Sequence, residues 1–472
     1  MAKARITYLS DDDKQFIHEK TLQVLAEVGV AYNSPRAIDL LAAAGAEVDR
    51  DALTAKLTWE LIEPALATVP RRVRLAGRDA AHDVVLGDGG FLCTSDGMAT
   101  YWYDDLTGKR RAATTDDLVQ ITRLSDAMPE LDYLWPTLQA GDAEGELMPL
   151  VMQATMVRNS AKHVQDEVRT PEMVGPILEI YETACGAPLT ERPYFSVTNC
   201  TIAPLQHDKE MTEAGLLLCK RGVPIFVLPM PQVGTTGPGT VLSDCIVNMA
   251  ELLSGIVLYQ LAQPGCATIS GVGAGVADMR TGGYIAAGPE IGLINMICIE
   301  MSRFYNLPTQ ATGMSADAKA PDFQCGSEGG MTALVAALTG ADSLIAAGGF
   351  DGVQQSSLAK IVLDCDQIGA LRRYLREDPV DEARALIDDI REVGIGGHYL
   401  GRRSTRAFAR TEVWRPSVFQ RGTFEEFAGT TLVQTAVERA HAAIAAYQPP
   451  VLPDDADRHI DEVIAAYAAT LA

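Results

Sequence analysis

Between residues 194 and 349 the chain repeats one pattern: an apolar run that breaks into glycine or small polar residues at its C-terminal end. The five instances are Tyr194 to Cys200, Val223 to Gly234, Cys266 to Gly275, Leu307 to Gly313 and Ser343 to Gly349. With Phe195, Phe226, Thr268, Gln310 and Ile345 as centres, the intervals are 31, 42, 42 and 35 residues. A strand, a helix and a return strand need roughly 30 residues or more, so the spacing fits repeated βαβ units. Helix signals lie between them: Pro171 to Cys185 stops at Gly186, Asp208 to Arg221 stops at Gly222, and Pro289 opens the segment that runs to Tyr305. Long apolar strands alternating with helices predict a parallel sheet covered on its outer face, and this number of repeats predicts a (β/α)8 TIM barrel.

Further barrel strands are expected at Leu131 to Leu138 and Lys162 to Val168, and the eighth at Ile395 to Leu400, after the charged helix Pro379 to Val393. Upstream, Ser10 before three aspartates, Ser34 before Pro35, and Leu57 to Thr68 mark three N-terminal helices. Glycines interleave with Val, Phe, Thr and Tyr from His82 to Tyr103, which predicts a hairpin layer over one barrel end. The expected organisation is a helical and small β addition over residues 1–110, a barrel over 111–450 and a closing helix over 451–472.

The net charge of -23 offers no basic surface to a phosphate backbone or anionic lipid, so nucleic-acid and membrane partners are not expected. Nine scattered cysteines without a C-x-x-C pair read as reduced thiols of a cytoplasmic protein. The N-terminus has no apolar signal core, and the apolar stretch Met331 to Phe350 is interrupted by Gly340 and Asp342.

In a barrel the chemistry belongs to the loops at the strand C-termini. That rule selects Asn199, Gln232, Gly234, Ser270, Gly271, Gly313, Asp317, Asp351 and His398, with Phe195, Met230, Tyr284, Phe323, Phe350 and Tyr399 as apolar or aromatic lining and Glu328 nearby. Gly271 to Gly275 lacks the third glycine and the distal acidic residue of a dinucleotide fingerprint. Lys319 suits a Schiff base, but it lies between Asp317 and Asp322, where an ion pair would keep it protonated. His163, His207 and His398 form no local metal-ligand pattern, and no metal is expected. What remains is aromatic rings beside carboxylates, a box suited to a quaternary ammonium group held by cation–π attraction.

Several ordered motifs then resemble the trimethylamine methyltransferase superfamily. They are L-P-T-Q-A-T-G-M-S-A-D-A-K-A-P-D-F-Q-C-G-S-E-G from Leu307, L-P-M-P-Q-V-G-T-T-G-P from Leu228, A-D-M-R-T-G from Ala277, L-L-S-G from Leu252, G-G-H-Y-L-G from Gly396 and R-T-E-V-W-R-P from Arg410. The resemblance runs over essentially the whole chain. It implies a (β/α)8 barrel that passes a methyl group from an amine to the Co(I) of cobalamin, carried by a separate corrinoid protein docked over the strand C-termini. Some members carry pyrrolysine; this chain holds only standard residues, and members of that kind resemble glycine betaine methyltransferases. The implied substrate is a small quaternary amine. Asn199, Gln232, Ser270, Phe195, Met230, His398 and Tyr399 would bind it, Phe350 would pack on the methylated nitrogen, Asp317 and Asp351 would set the field, and Gly234, Gly271 and Gly313 would face the cofactor. Two positions depart from the family pattern: Ser404 precedes Thr405 where a histidine is common, and Ile345-Ala346-Ala347 replaces a polar or histidine residue. Rival expectations are a Schiff-base lyase or aldolase built on Lys319 and a non-catalytic amine-binding protein. A homo-oligomer is expected, as for many large barrels.

Overall fold

A computed structural model describes residues 4–426 and 429–471, apart from the side chain of Ala346. Eight parallel barrel strands follow one another around a closed ring. They are β1 (Leu92–Ser95), a two-residue β2 at 133–134, β3 (Val164–Asp166), β4 (Phe195–Ile202), β5 (Ile225–Leu228), β6 (Thr268–Val272), β7 (Thr309–Thr312) and β8 (Ser343–Ala347). Closure comes from β8 pairing with β1 through Ser343 to Leu92, Leu344 to Cys93 and Ile345 to Thr94. Bridges from Thr94 to Tyr133 and from Leu134 to Val164 stitch β2 into the ring. Each strand feeds a helix, from Thr115–Ala127 after β1 to Leu358–Leu375 after β8.

The strand that completes the ring is therefore Leu92–Ser95, not the predicted Ile395 to Leu400. Leu92 to Ser95 was read as part of a hairpin because glycines crowd its N-terminal side. Four residues suffice for a barrel strand when both edges are paired, and residue 110 consequently does not separate an addition from the barrel. Ile395 to Leu400 forms an exposed turn, with Ile395 and Leu400 open to solvent. It belongs to the helical segment of Glu382–Ala385, Ile387–Val393 and Arg403–Glu412, tethered to the end of the Leu358–Leu375 helix by Glu412 with Arg373 and Arg376. The glycine-rich region splits in two. Val73–Leu75 pairs with Val84–Leu86 and plugs the strand N-terminal end against Tyr133, Phe226 and Ile269; Tyr101–Asp104 pairs with Lys109–Ala112 and joins short strands after β8.

The barrel interior is layered. Above the apolar plug a chain of hydrogen bonds crosses the lumen. Gln165 and Gln310 exchange amide bonds at 3.0 and 2.8 Å, Gln165 donates to Thr198 Oγ1 at 2.7 Å, and Gln310 donates to Tyr133 OH at 2.6 Å. Tyr133 OH meets Ser343 Oγ at 2.7 Å, so five strands are tied across the axis. Higher still, Trp135, Leu228 and Ile345 pack together beside Met98 and Cys200. The predicted N-terminal helices are Asp11–Glu27, Pro35–Ala43 and Trp59–Thr68; the first opens on a reciprocal capping box between Ser10 and Asp13. They pack on the Val241–Ala262 helix, which is long and apolar enough to cross a membrane yet lies largely buried in the ring of helices. All nine cysteines are free thiols, seven of them buried.

Phe226 anchors the plug, and a hole there cannot collapse against paired strands. Phe226→Ala is expected to lower the unfolding free energy by about 3–5 kcal/mol, measured by chemical denaturation.

Candidate active site

Strand pleating decides which residues enter the lumen. In β4 the alternation turns Ser196, Thr198 and Cys200 inward and Phe195, Val197 and Asn199 outward. Phe195 stacks on Tyr181 of the Pro171–Cys185 helix with centroids 4.6 Å apart. Asn199 donates to the Met211 carbonyl at 3.2 Å and to Tyr259 OH, in the seam between barrel and helices. Ser270 bonds Ser302 at 2.7 Å in the same kind of seam, and Gly313 backs onto Ala333 of the neighbouring helix. These four predicted residues do not face the lumen. Their neighbours do: Gly271 presses on Leu228, where an added Cβ would lie 2.7 Å from Leu228 Cδ1.

The floor of the mouth is Trp135 with Leu228 and Ile345, each only 4–6% exposed. Gly97 lies against the indole, since a Cβ there would sit 2.6–2.7 Å from three of its ring atoms. Asp166 accepts from Trp135 Nε1 at 3.1 Å, from Glu167 N at 2.8 Å and from Gln153 Nε2, and it fixes the ring's orientation. Burial pushes the Asp166 carboxyl up to about 7, against the three donors, with the Glu167 charge adding to the rise. Glu167 itself, half-buried, pairs with Arg169 at 3.3 Å and accepts from the Cys200 thiol at 3.6 Å. Across the mouth Asp96 is buried; it accepts from Ser315 Oγ at 2.7 Å and Gly97 N at 2.8 Å, and desolvation raises its pKa. None of Trp135, Asp166, Glu167 and Asp96 was singled out from sequence. The available signal was alternation: each lies at or just beyond a strand end.

One wall is a small rim sheet in which Gln232–Val233 runs parallel to Gly275–Ala277, which pairs with Tyr284–Ile285. Met230, 38% exposed, and half-buried Gln232 lie on this rim. Gly234, at φ +91°, abuts Met279, a contact 3.0 Å from its would-be Cβ. Asp317 is the tie for this wall: its carboxylate accepts from Ala286 N at 2.9 Å and Ala287 N at 3.1 Å, while Glu328 accepts from Asp317 N at 2.8 Å. Tyr284 lies against Gly275 and is held protonated by burial and by the charges of Asp96 and Asp317.

The remaining candidates have structural roles. Asp351 is gripped by Arg110 at 3.0 Å and by Lys319, whose side chain is 75% exposed, so Lys319 is a paired surface ammonium rather than a desolvated nucleophile. Phe350 is fully buried with Ala316, Ala318 and Cys325, edge-on to Tyr103. Glu328 braces the loop, and Phe323 is 89% exposed outside the mouth. His398 and Tyr399 sit in the exposed turn at 395–400, and Ser404 bonds Asp389 in the same segment, so none of the three reaches the mouth. The departure at Ala346 concerns a side chain outside the described residues. His163 and His207 are buried and held neutral by burial, both at about 4, and they bond Ser196 and Ser254 at 2.8 Å.

The trimethylamine methyltransferase (MTTB) family model matches residues 2–472. The chain belongs to this family. It is 29% identical to a trimethylamine methyltransferase of Methanosarcina barkeri over 96% of this chain and 93% of that one. It is 28% identical to a glycine betaine methyltransferase of Desulfitobacterium hafniense over 97% and 96% of the two chains. Among solved structures, the monomethylamine methyltransferase of Methanosarcina barkeri shares the fold, with a TM-score of 0.55 at 11% identity over 97% of this chain and 89% of that chain. As a member of the trimethylamine methyltransferase family the chain is an enzyme, a methyltransferase that draws its methyl group from a methylated amine.

Asp166, Asp244 and Glu251 are all raised by burial to about 7. A carboxyl raised in the folded state stabilises the fold below its unfolded pKa, and that stability is lost as pH rises through the folded value. Unfolding free energy is therefore expected to fall between about pH 4 and pH 7, with a shallower fall in Asp166→Asn, as denaturation at several pH values would show.

Proposed function

We propose that this methyltransferase demethylates a small quaternary amine of the betaine type and passes the methyl group to the corrinoid of a separate protein. The observation that carries the reading is the Trp135 floor: an indole held by Asp166 and backed by Gly97, with Asp96 and Glu167 beside it. An indole face is the best aromatic partner for a cation that has no N–H to donate. The substrate's positive charge vanishes as the C–N bond breaks and a neutral amine departs, so a site of fixed full charges would favour the bound substrate over the transition state. An aromatic floor beside carboxyls whose charged form burial disfavours, Asp96 and Asp166, lessens that trap. No general acid is required for this leaving group.

Positioning falls to the rim. In this reading Arg169, half-exposed and paired with Glu167, would take a betaine's carboxylate, and Tyr284 and Met230 would limit the methyl group's approach. When docked, the corrinoid supplies the nucleophilic methyl acceptor. The residues present suit a partner that covers the mouth: Met230 and Met279 stand exposed above glycines, and Gly234 and Gly273 keep the rim low. Nine free thiols suit a reducing, cytoplasmic setting, and a homo-oligomer remains part of this reading.

The test mixes the enzyme with a reduced, competent corrinoid protein and a panel of quaternary and tertiary amines, and follows the Co(I) absorbance. Loss of that band with one quaternary amine is the expected result; no loss with any quaternary amine while a tertiary amine reacts would overturn the quaternary-amine reading. In the same assay Trp135→Leu is expected to raise KM for the quaternary amine by about 5- to 30-fold, the loss of roughly 1–2 kcal/mol of cation–π attraction. An unchanged KM would remove Trp135 from the site.

A further inference from the structure

On the face opposite the mouth, at the strand N-termini, a cleft of about 390 Å³ is lined by Arg5, Arg71, Arg303, Arg372 and Arg376 against a single carboxylate, Asp342. Three of the five are spoken for. Arg71 grips Asp342 through two bonds of 2.7 and 2.8 Å, Arg372 donates to Asp132 at 2.6 Å, and Arg376 donates to Asp378 at 2.8 Å. Arg303 donates only to the Thr339 carbonyl, at 3.0 Å, and Arg5 has no hydrogen-bond partner among the described residues. Asp342 and Glu377 lie within electrostatic reach of Arg5, yet its nearest strong influence after desolvation is the like charge of Arg303.

These two guanidinium groups are neighbours. A Cβ on Gly340 would lie 2.4 Å from Arg303 Nη1 and 2.6 Å from Arg5 Nη1, so both pack against the same glycine. Gly340, at φ +103°, puts no side chain between them, and Gly89, at φ +95°, adds none at the cleft's edge. In a chain of net charge -23, two neighbouring guanidinium groups with no carboxylate bonded to either among the described residues are a local anomaly that an anion resolves. Two guanidinium forks side by side suit a compact tetrahedral oxyanion better than the two separated ends of a dicarboxylate.

We propose that this cleft binds a small phosphate-bearing metabolite through Arg5 and Arg303, at a site separate from the amine mouth. Arg71, already fixed on Asp342, lines the wall, and Asp342 also accepts from Thr309 N at 2.9 Å at the base of β7, so an occupied cleft is coupled to the footing of β7 and β8. Nothing in this assignment requires methyl transfer.

The test titrates the full chain at constant ionic strength with pyrophosphate, inorganic phosphate and succinate, and reads the melting temperature, the heat of binding and the sedimentation coefficient. Saturable stabilisation by pyrophosphate or phosphate, weakened about tenfold or more in Arg5→Gln and in Arg303→Gln, is the expected result. Methyl-transfer activity without the anion should stay at the wild-type level in both variants. Arg5 has no hydrogen bond to lose among the described residues, so Arg5→Gln separates binding from folding. An equal response to succinate, an unaltered response in both variants, or a change of oligomeric state in place of anion binding would each overturn the proposal; the last would mark the cleft as a contact between copies of the chain.

Discussion

The hydrogen-bonded belt Thr198–Gln165–Gln310–Tyr133–Ser343 is the constraint on which the rest of the structure depends. Polar groups in the centre of a barrel are tolerated only when each finds a partner, and here both glutamine amides are answered. The belt ties β2, β3, β4, β7 and β8, including the two-residue β2 that has little ladder of its own. It also divides the lumen. Below it the apolar plug of the Val73–Leu75 hairpin seals the barrel; above it Trp135 packs with Leu228 and Ile345. The depth of the site is thus set by where the belt lies.

Above that belt the chemistry rests on how carboxyls are supported. Asp317 is met by two backbone N–H groups and spends its charge on holding the rim sheet, whereas Asp351 is neutralised by Arg110 and Lys319. Among the described residues Asp96 and Asp166 have no cationic partner in direct contact, and burial raises both. Carboxyls whose charged form burial disfavours, beside an aromatic floor, suit the proposed positively charged methyl donor, since they accept a cation without gripping it.

The residues the sequence reading misplaced share one cause. Asn199 and Ser270 stand near strand ends and Phe195 is an aromatic of the same apolar run, but in a strand with side chains alternating every residue neither property decides the face. A shift of one position moves a residue from lumen to seam, as Asn199 and Cys200 show. Met230, Gln232 and Gly234 lie on the rim, and Lys319 is ion-paired with Asp351 rather than with Asp317 or Asp322, the acidic residues flanking it in sequence. The eighth strand failed for a different reason: its partner is the start of the ring, a contact between Leu92 and Ser343 that no local pattern encodes.

The sequence by itself determined the repeated strand and helix units, the three capped N-terminal helices and membership of a methyltransferase family. Each of those is written in short-range signals: apolar runs, caps, stop glycines and ordered motifs. Tertiary structure alone decided where the ring closes, which parity of each strand faces the lumen, and that Trp135 and Asp166 meet. Closure, facing and contact are fixed by pairing between residues distant in the chain, so they follow only once all eight strands are in place.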